Sequence, residues 1–249
     1  RSLTYGQLNK ELYKKFFLNA EERQAIRDGY IYIHDMKDRL DGVNCCLADI
    51  GNILKGGFEC GNMWYTEPNS LDVAFDVISD IAMSMAAQQY GGYTIHEVDK
   101  ILDPYAEKSY KKYYQESYDI ISDIENTDGA FLDSMSNVEF DKNAEEYATK
   151  KVYRDFEQGF QSWEYRFNTV GSSRGDYPFI ATSFGIGTGK FERMATEVIL
   201  KVRMNGQGKK GFKKPVLFPK LTFLYDENLH GEGKELEYLF DIAIDCSSK

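Results

Sequence analysis

Between Ala148 and Phe167 the apolar side chains recur every three or four residues, at Ala148, Val152, Phe156, Phe160, Trp163 and Phe167. That is the period of an α-helix with one buried face. A second run, Ala74, Val77, Ile78, Ile81, Ala82 and Met85, has the same period behind Pro68, with Asn69 or Ser70 as N-cap. Asp72, Asp76 and Asp80 line its opposite face. Leu8 to Asp28 reads as a charged helix, giving way at Gly29 to a short extended segment, Tyr30 to Asp35. Asp103-Pro104 supplies an N-cap and first-turn proline for a Tyr-rich helix ending near Ile121. Phe191 to Met204 predicts a helix stopped by Asn205-Gly206, and Glu235 to Ile244 another.

Three segments break this period. Asn44 to Ile50 reads as a buried strand closed by Gly51, and Pro178 to Phe184 and Pro215 to Tyr225 as two more. Asn126 to Asp141 is turn-rich and polar, a surface excursion. Strands and helices alternating over long connections predict an α/β fold with parallel pairing.

The chain has 249 residues, 42% of them hydrophobic and 14% aromatic, enough for a sizeable core and against intrinsic disorder. Its 30 Lys and Arg against 40 Asp and Glu give a net charge of −10, so no basic stripe is available for nucleic acid or an anionic membrane. No apolar run is long enough to be a membrane span, and Arg1 to Gly6 lacks the apolar run of a secretion signal, so the protein is expected to be cytoplasmic. The start at Arg1 without Met, and the stop at Lys249 just after a helical run, read as a portion of something longer.

Cys45, Cys46, Cys60 and Cys246 are too few and too oddly placed for a disulfide framework, so reduced thiols are expected. Three single histidines and the absence of CxxC give no metal site. Gly185-Ile-Gly187-Thr-Gly189-Lys190 sits between a strand and a helix, but Phe184, Lys190 and Phe191 stand where phosphate-loop and dinucleotide motifs need other residues. It reads as a tight turn whose amides remain able to meet a phosphate, as do those of Gly171-Ser-Ser-Arg-Gly175. His34-Asp35 has no nucleophile beside it and reads as a hydrogen-bonded structural pair, while the Asp72, Asp76, Asp80 stripe reads as solvated. In Cys45-Cys46, strand alternation turns one thiol to each face, so at most one serves a given pocket. The bland alternative for both is a small apolar filler.

Several segments occur in order along nearly the whole chain: Gly29-Tyr-Ile-Tyr-Ile-His-Asp35, Asn44-Cys-Cys-Leu-Ala-Asp-Ile50, Gly57-Phe58, Gln89-Tyr-Gly-Gly92, Val98 to Tyr105, Tyr165-Arg-Phe-Asn-Thr169, Pro178-Phe179 and Phe218-Pro-Lys-Leu221. Together they resemble the anaerobic (class III) ribonucleoside-triphosphate reductases, a glycyl radical enzyme family. The resemblance implies a ten-stranded α/β barrel of two antiparallel halves, each of five parallel strands flanked by helices, of which residues 1–249 form the first half as one N-terminal portion of the catalytic domain. The ATP cone, the finger loop with its thiyl-forming cysteine, the four-cysteine zinc site and the radical glycine are not among these residues.

The activity so implied is reduction of ribonucleoside triphosphates to 2′-deoxyribonucleoside triphosphates. Cys45 would face the substrate as proton donor and reductant partner, with Asn44 beside it, while Cys46 packs the other way. Ser172 and Ser173 would meet the substrate phosphates. ATP or a deoxynucleotide effector would bind near a homodimer interface built from helices matching Ser70 to Ala87 and Glu145 to Phe167. Lys112, Asn69 and Asp80 would be its effector contacts; Lys112 matches the family in type, whereas Thr66, Asn69 and Asp80 depart from its usual charged and amide set. The glycyl radical and zinc would belong to the C-terminal region, where a radical S-adenosylmethionine activase docks. Formate is the expected reductant, a thioredoxin-like protein serving other branches. Two alternatives stand beside this reading: a split or truncated fragment that binds nucleotide or dimerises but is inactive alone, and a formate acetyltransferase-like glycyl radical enzyme. The latter carries its cysteine pair on a finger loop, not in a strand-like run.

Overall fold

The computed structural model describes residues 2–40, 42–125, 137–169, 171 and 179–249. Its centre is a four-stranded sheet of β1 (Cys46–Ala48), β4 (Tyr93–Ile95), β5 (Ile180–Phe184) and β6 (Lys220–Phe223), in that spatial order and all parallel. A hairpin of β2 (Phe58–Cys60) and β3 (Met63–Tyr65) stands apart from it. The register sets Cys46, Tyr93 and Ile180 in one row, and Leu47, Thr94, Ala181 and Lys220 in the next. Because side chains alternate, the two rows point to opposite faces. Tyr93, Ile95, Ile180 and Phe184 are fully buried, whereas Leu47 is 65% exposed. Among the described residues the sheet thus has one face sealed by helices and one open face.

The sealing layer is α4 (Leu71–Gln88), α5 (Val98–Glu125), α6 (Asn137–Thr169) and α7 (Lys190–Asn205). All six apolar positions of the 148–167 run are buried in α6. Phe75 of α4 meets Phe156, Phe160 and Trp163 edge-on, with ring centroids 4.9 to 6.3 Å apart, and the Trp163 indole donates to the Phe75 carbonyl at 3.0 Å. Ser70 caps α4, and Gly206 ends α7 at φ 62°, both at the positions expected.

Other boundaries differ, each for a local reason. The charged N-terminal segment is two helices, α1 (Ser2–Phe17) and α2 (Ala20–Arg27), separated because Asn19 and Glu22 form a reciprocal capping box. Tyr30 to Asp35 joins no strand, and Asp35 has φ 53°. Gly51 lies inside α3 (Ile50–Leu54), which Asp49 caps, instead of closing a strand. α5 starts a turn and a half before Pro104 because the Glu97 carbonyl accepts from Lys100 and Ile101 and the core buries Val98 and Leu102. Pro104 is therefore interior. α6 takes in Asn137 to Asp141, and residues 126–136 of the expected excursion lie outside the described residues. The chain ends with α8 (Glu227–His230) and α9 (Glu237–Ser247). Among the described residues no helix is long and apolar enough to cross a membrane.

Candidate active site

Cys45 lies one residue before β1, on the open face by alternation from Leu47, and its thiol is exposed. Cys46 faces the helices and packs against the core. Two groups converge on the Cys45 sulfur: the thiol donates to Asn44 Oδ1 at 3.4 Å, and the Gly92 N–H donates to Sγ at 3.4 Å. The backbone explains the convergence. Val43 pairs with Gln89 and Cys46 with Tyr93, one residue out of step, so an extra residue sits between Gln89 and Tyr93 as a bulge that re-aims the strand beside the thiol. The bulge is held by Tyr90 N–H to Val43 O (3.0 Å), Gly91 N–H to Asn44 O (2.9 Å) and Cys46 N–H to Gly92 O (3.0 Å). At Gly91 a Cβ would fall 2.6 Å from Cys45 Sγ and 2.7 Å from the Asn44 carbonyl, so only glycine lets the strands approach this closely.

The same edge of the sheet carries Phe179 and Lys220. Phe179 packs on Gly92 and edge-on to Phe218, with centroids 5.2 Å apart, and the Lys220 ammonium lies 4.1 Å from the Phe179 ring centre. The approach to β6 is clamped by Asn168, whose amide donates to the Phe218 carbonyl (2.6 Å) and accepts from the Phe218 N–H (3.1 Å). Arg203 adds a bond to the Pro219 carbonyl (2.6 Å) and is itself braced by the buried Glu164 carboxylate (2.7 Å), which also accepts from Gln207 (2.6 Å). Sequence reasoning passed over this network. Its signal was a Glu inside the cleanest apolar helix, at a position the period assigns to the core.

The glycine turn before α7 is already filled. Gly185 and Gly187 N–H groups donate to the buried Asp99 carboxylate at 2.9 and 3.2 Å, and the Gly189 N–H donates to Glu192 at 2.6 Å. Burial pushes the Asp99 carboxyl up, against the pull of these amides. A phosphate would have to displace two carboxylates. On the opposite edge of the open face, His96 Nδ1 and the Glu97 N–H both meet the buried Ser183 hydroxyl, at 2.8 and 2.9 Å. His34 and Asp35 are bonded at 2.6 Å, on the surface.

The acidic stripe is not simply solvated, because Arg166 of α6 reaches Asp76 and Asp80 at 3.5 Å each and Tyr65 reaches Asp80 at 3.4 Å. Lys112 is exposed and 3.9 Å from Glu116. Its neighbour Tyr113 bonds Asp155 of α6 at 2.7 Å, while Asp80 sits against Arg166, about 16 Å further along that helix. Asn69, exposed just before α4, lies at the Lys112 end, where the Leu71 N–H meets Ser109. Lys112 and Asn69 therefore share one end of the helical layer, and Asp80, midway along α4, lies away from it. Ser172 and Ser173 lie outside the described residues. Among the described residues no group of three or more His, Cys, Asp or Glu side chains is placed to hold a metal ion, so zinc has no donor set here.

The family model described as anaerobic ribonucleoside-triphosphate reductase matches residues 1–249. The protein of that name from Enterobacteria phage T4 is 34% identical over 256 residues, covering 100% of this chain and 38% of the phage protein. Those from Haemophilus influenzae and Escherichia coli (strain K12) are each 31% identical, with 33% and 32% of their lengths covered. The chain thus spans about a third of the length of these relatives. The solved anaerobic ribonucleotide reductase from Thermotoga maritima with dATP bound in the specificity site superposes with a TM-score of 0.62 at 14% identity, over 100% of this chain and 40% of that one. The form with citrate in the active site gives 0.61 over 42%. The likeness is one of fold, an α/β arrangement of parallel strands flanked by helices, as expected. On the family match, this chain belongs to the anaerobic ribonucleoside-triphosphate reductase family.

Proposed function

We propose that this chain forms one wall of the active-site chamber of an anaerobic reductase that converts ribonucleoside triphosphates to 2′-deoxyribonucleoside triphosphates. The observation that carries the reading is Cys45 on the open, helix-free face, with Asn44 Oδ1 and the Gly92 N–H both directed at its sulfur. The family's glycyl radical, acting through the thiyl-forming cysteine of the finger loop, neither of them among these residues, would supply the hydrogen-atom abstraction from the ribose. Cys45 holds the proton that the departing 2′-hydroxyl takes as it leaves as water. Asn44 fixes the direction of that S–H, and the Gly92 N–H meets the negative charge left on sulfur. The helical layer on the other face keeps water from reaching the chamber through the sheet. Overall, formate and a proton reduce the C2′–OH bond to C2′–H, giving carbon dioxide and water.

In the same reading the protein works as a cytoplasmic homodimer, activated by a radical S-adenosylmethionine enzyme. Lys112 and Asn69 face an ATP or deoxynucleotide effector at the α4 and α6 interface, and Ser172 and Ser173 face the substrate phosphates. The dATP named for the specificity site of the Thermotoga maritima protein supports an effector site in general. An ammonium on a triphosphate makes bonds of about 1.5 to 3 kcal/mol, so Lys112→Ala should weaken dATP binding at least about tenfold by calorimetry. Equal affinities would return Lys112 to the solvated surface. The activity itself is tested on the full-length protein, incubated anaerobically with activase, S-adenosylmethionine, formate and CTP. A glycyl electron paramagnetic resonance doublet and dCTP are expected, and a doublet without deoxynucleotide would refute the assignment.

A further inference from the structure

The four parallel strands read Cys-Leu-Ala, Tyr-Thr-Ile, Ile-Ala-Thr-Ser-Phe and Lys-Leu-Thr-Phe, so Lys220 carries their one charge. The register puts it in the row Leu47, Thr94, Ala181, Lys220, on the face that also bears Cys45. Among the described residues no carboxylate lies within ion-pair distance of its ammonium. Its contact is the Phe179 ring, at 4.1 Å, and Phe179 in turn packs on Gly92, whose N–H touches the Cys45 sulfur. The side chain therefore leans along the sheet edge toward Cys45.

Three features argue against an idle surface lysine. The backbone just before it is held by Asn168 and by the buried Glu164–Arg203 pair, which fixes where the side chain starts. An aromatic face holds the ammonium on its flank without neutralising it. Lys220 is exposed on this face, and once the face closes over a substrate as a chamber wall, the desolvated ammonium is best met by an anion opposite it. β6 is three strand spacings from β1, and the lean over Phe179, just before β5, leaves the charge about 10 Å from the Cys45 strand. A nucleotide with its ribose over Cys45 spans that gap with its phosphate chain.

We infer that Lys220 is the cation receiving the outer phosphates of the ribonucleotide substrate, with Phe179 as the surface that holds it in place. This deepens the reductase reading and rests on it.

The test uses the full-length, unactivated protein under anaerobic conditions. The readout is the concentration of CTP, or of CMP, that half-protects Cys45 from alkylation, read residue by residue by mass spectrometry. Lys220→Met should raise the half-protecting CTP concentration at least tenfold and leave that of CMP unchanged, because CMP lacks the outer phosphates. Lys220→Arg should restore most of the CTP protection. Phe179→Leu, which keeps the charge and removes its support, should fall between Lys220→Met and wild type. Equal CTP protection in wild type and Lys220→Met overturns the role of Lys220 while leaving the reductase reading intact. An equal loss for CTP and CMP also overturns it, by pointing to general disruption of the wall. Wild type in which neither nucleotide shields Cys45 overturns both.

Discussion

Replacing Gly91 by Ala places one methyl group between the two strands that frame the reactive thiol. Its Cβ would sit 2.6 Å from Cys45 Sγ and 2.7 Å from the Asn44 carbonyl, and would also overlap Asn44 Oδ1. Carbon contacts relax only near 3.5 to 4.0 Å, so either the Asn44–Cys45 peptide moves by roughly an ångström or the two strands part. Overpacking of this kind costs about 1–3 kcal/mol, and Ala returns about 0.4–1 kcal/mol by restricting the unfolded chain, leaving a net loss of about 0–2.6 kcal/mol, centred at about 1.3 kcal/mol. Gly92→Ala is the internal comparison. Its Cβ would meet the Phe179 ring at 3.3 Å and the Phe179 carbonyl at 3.4 Å, a contact that small shifts relieve, so its effect should stay within about 0.5 kcal/mol. Urea unfolding followed by the fluorescence of buried Trp163 gives the stabilities, and alkylation of Cys45 resolved by mass spectrometry reports the thiol's surroundings. Gly91→Ala should be the less stable variant and should change the Cys45 alkylation rate. Equal stability and an unchanged rate for Gly91→Ala would mean that the close approach does not shape the site.

Removing Glu164 leaves the Arg203 guanidinium without its buried partner, so Glu164→Ala should lose about 3–5 kcal/mol, and Glu164→Met combined with Arg203→Met should recover part of that. A loss under about 1 kcal/mol in urea titration would reduce the pair to a bystander. Asp103 has its carboxyl pushed up to about 6, first by burial and then by the Glu192 and Glu107 charges. The folded state thus binds this proton more tightly than the unfolded chain, and stability from this group is lost as pH rises from about 4 to about 6. Asp103→Asn should match wild type below that window and exceed it above. Parallel stability curves across the whole range would contradict the assignment.

What was legible in the sequence follows how each element earns its stability. The α6 period was readable because its face is buried along several turns, and the α4 cap because Pro68 and Ser70 mark it locally. β4 is three residues long after two glycines, too short to alternate, and its pairing with β1 and β5 is visible only in three dimensions. The proline in α5 misled for a related reason: the core burial of Val98 and Leu102 extends the helix upstream of the start that Asp103-Pro104 signals locally. Within the site, the opposed directions of Cys45 and Cys46 followed from strand alternation alone. Gly91, Phe179 and Lys220 lie far from Cys45 in sequence and reach it through register, so their part emerged only once the strands were placed side by side. Asp76 and Asp80 read as solvated because their partner, Arg166, belongs to a helix far along the chain.

If Cys45 is the proton donor, the face that bears it, and not the face bearing Cys46, meets the ribonucleotide. In the full-length protein, Cys45→Ala and Cys46→Ala are each activated anaerobically, and the glycyl electron paramagnetic resonance signal and the deoxynucleotide product are measured on the same samples. A normal radical signal is expected in both variants, with product abolished in Cys45→Ala and retained in Cys46→Ala. Product from Cys45→Ala with none from Cys46→Ala would contradict that role for Cys45.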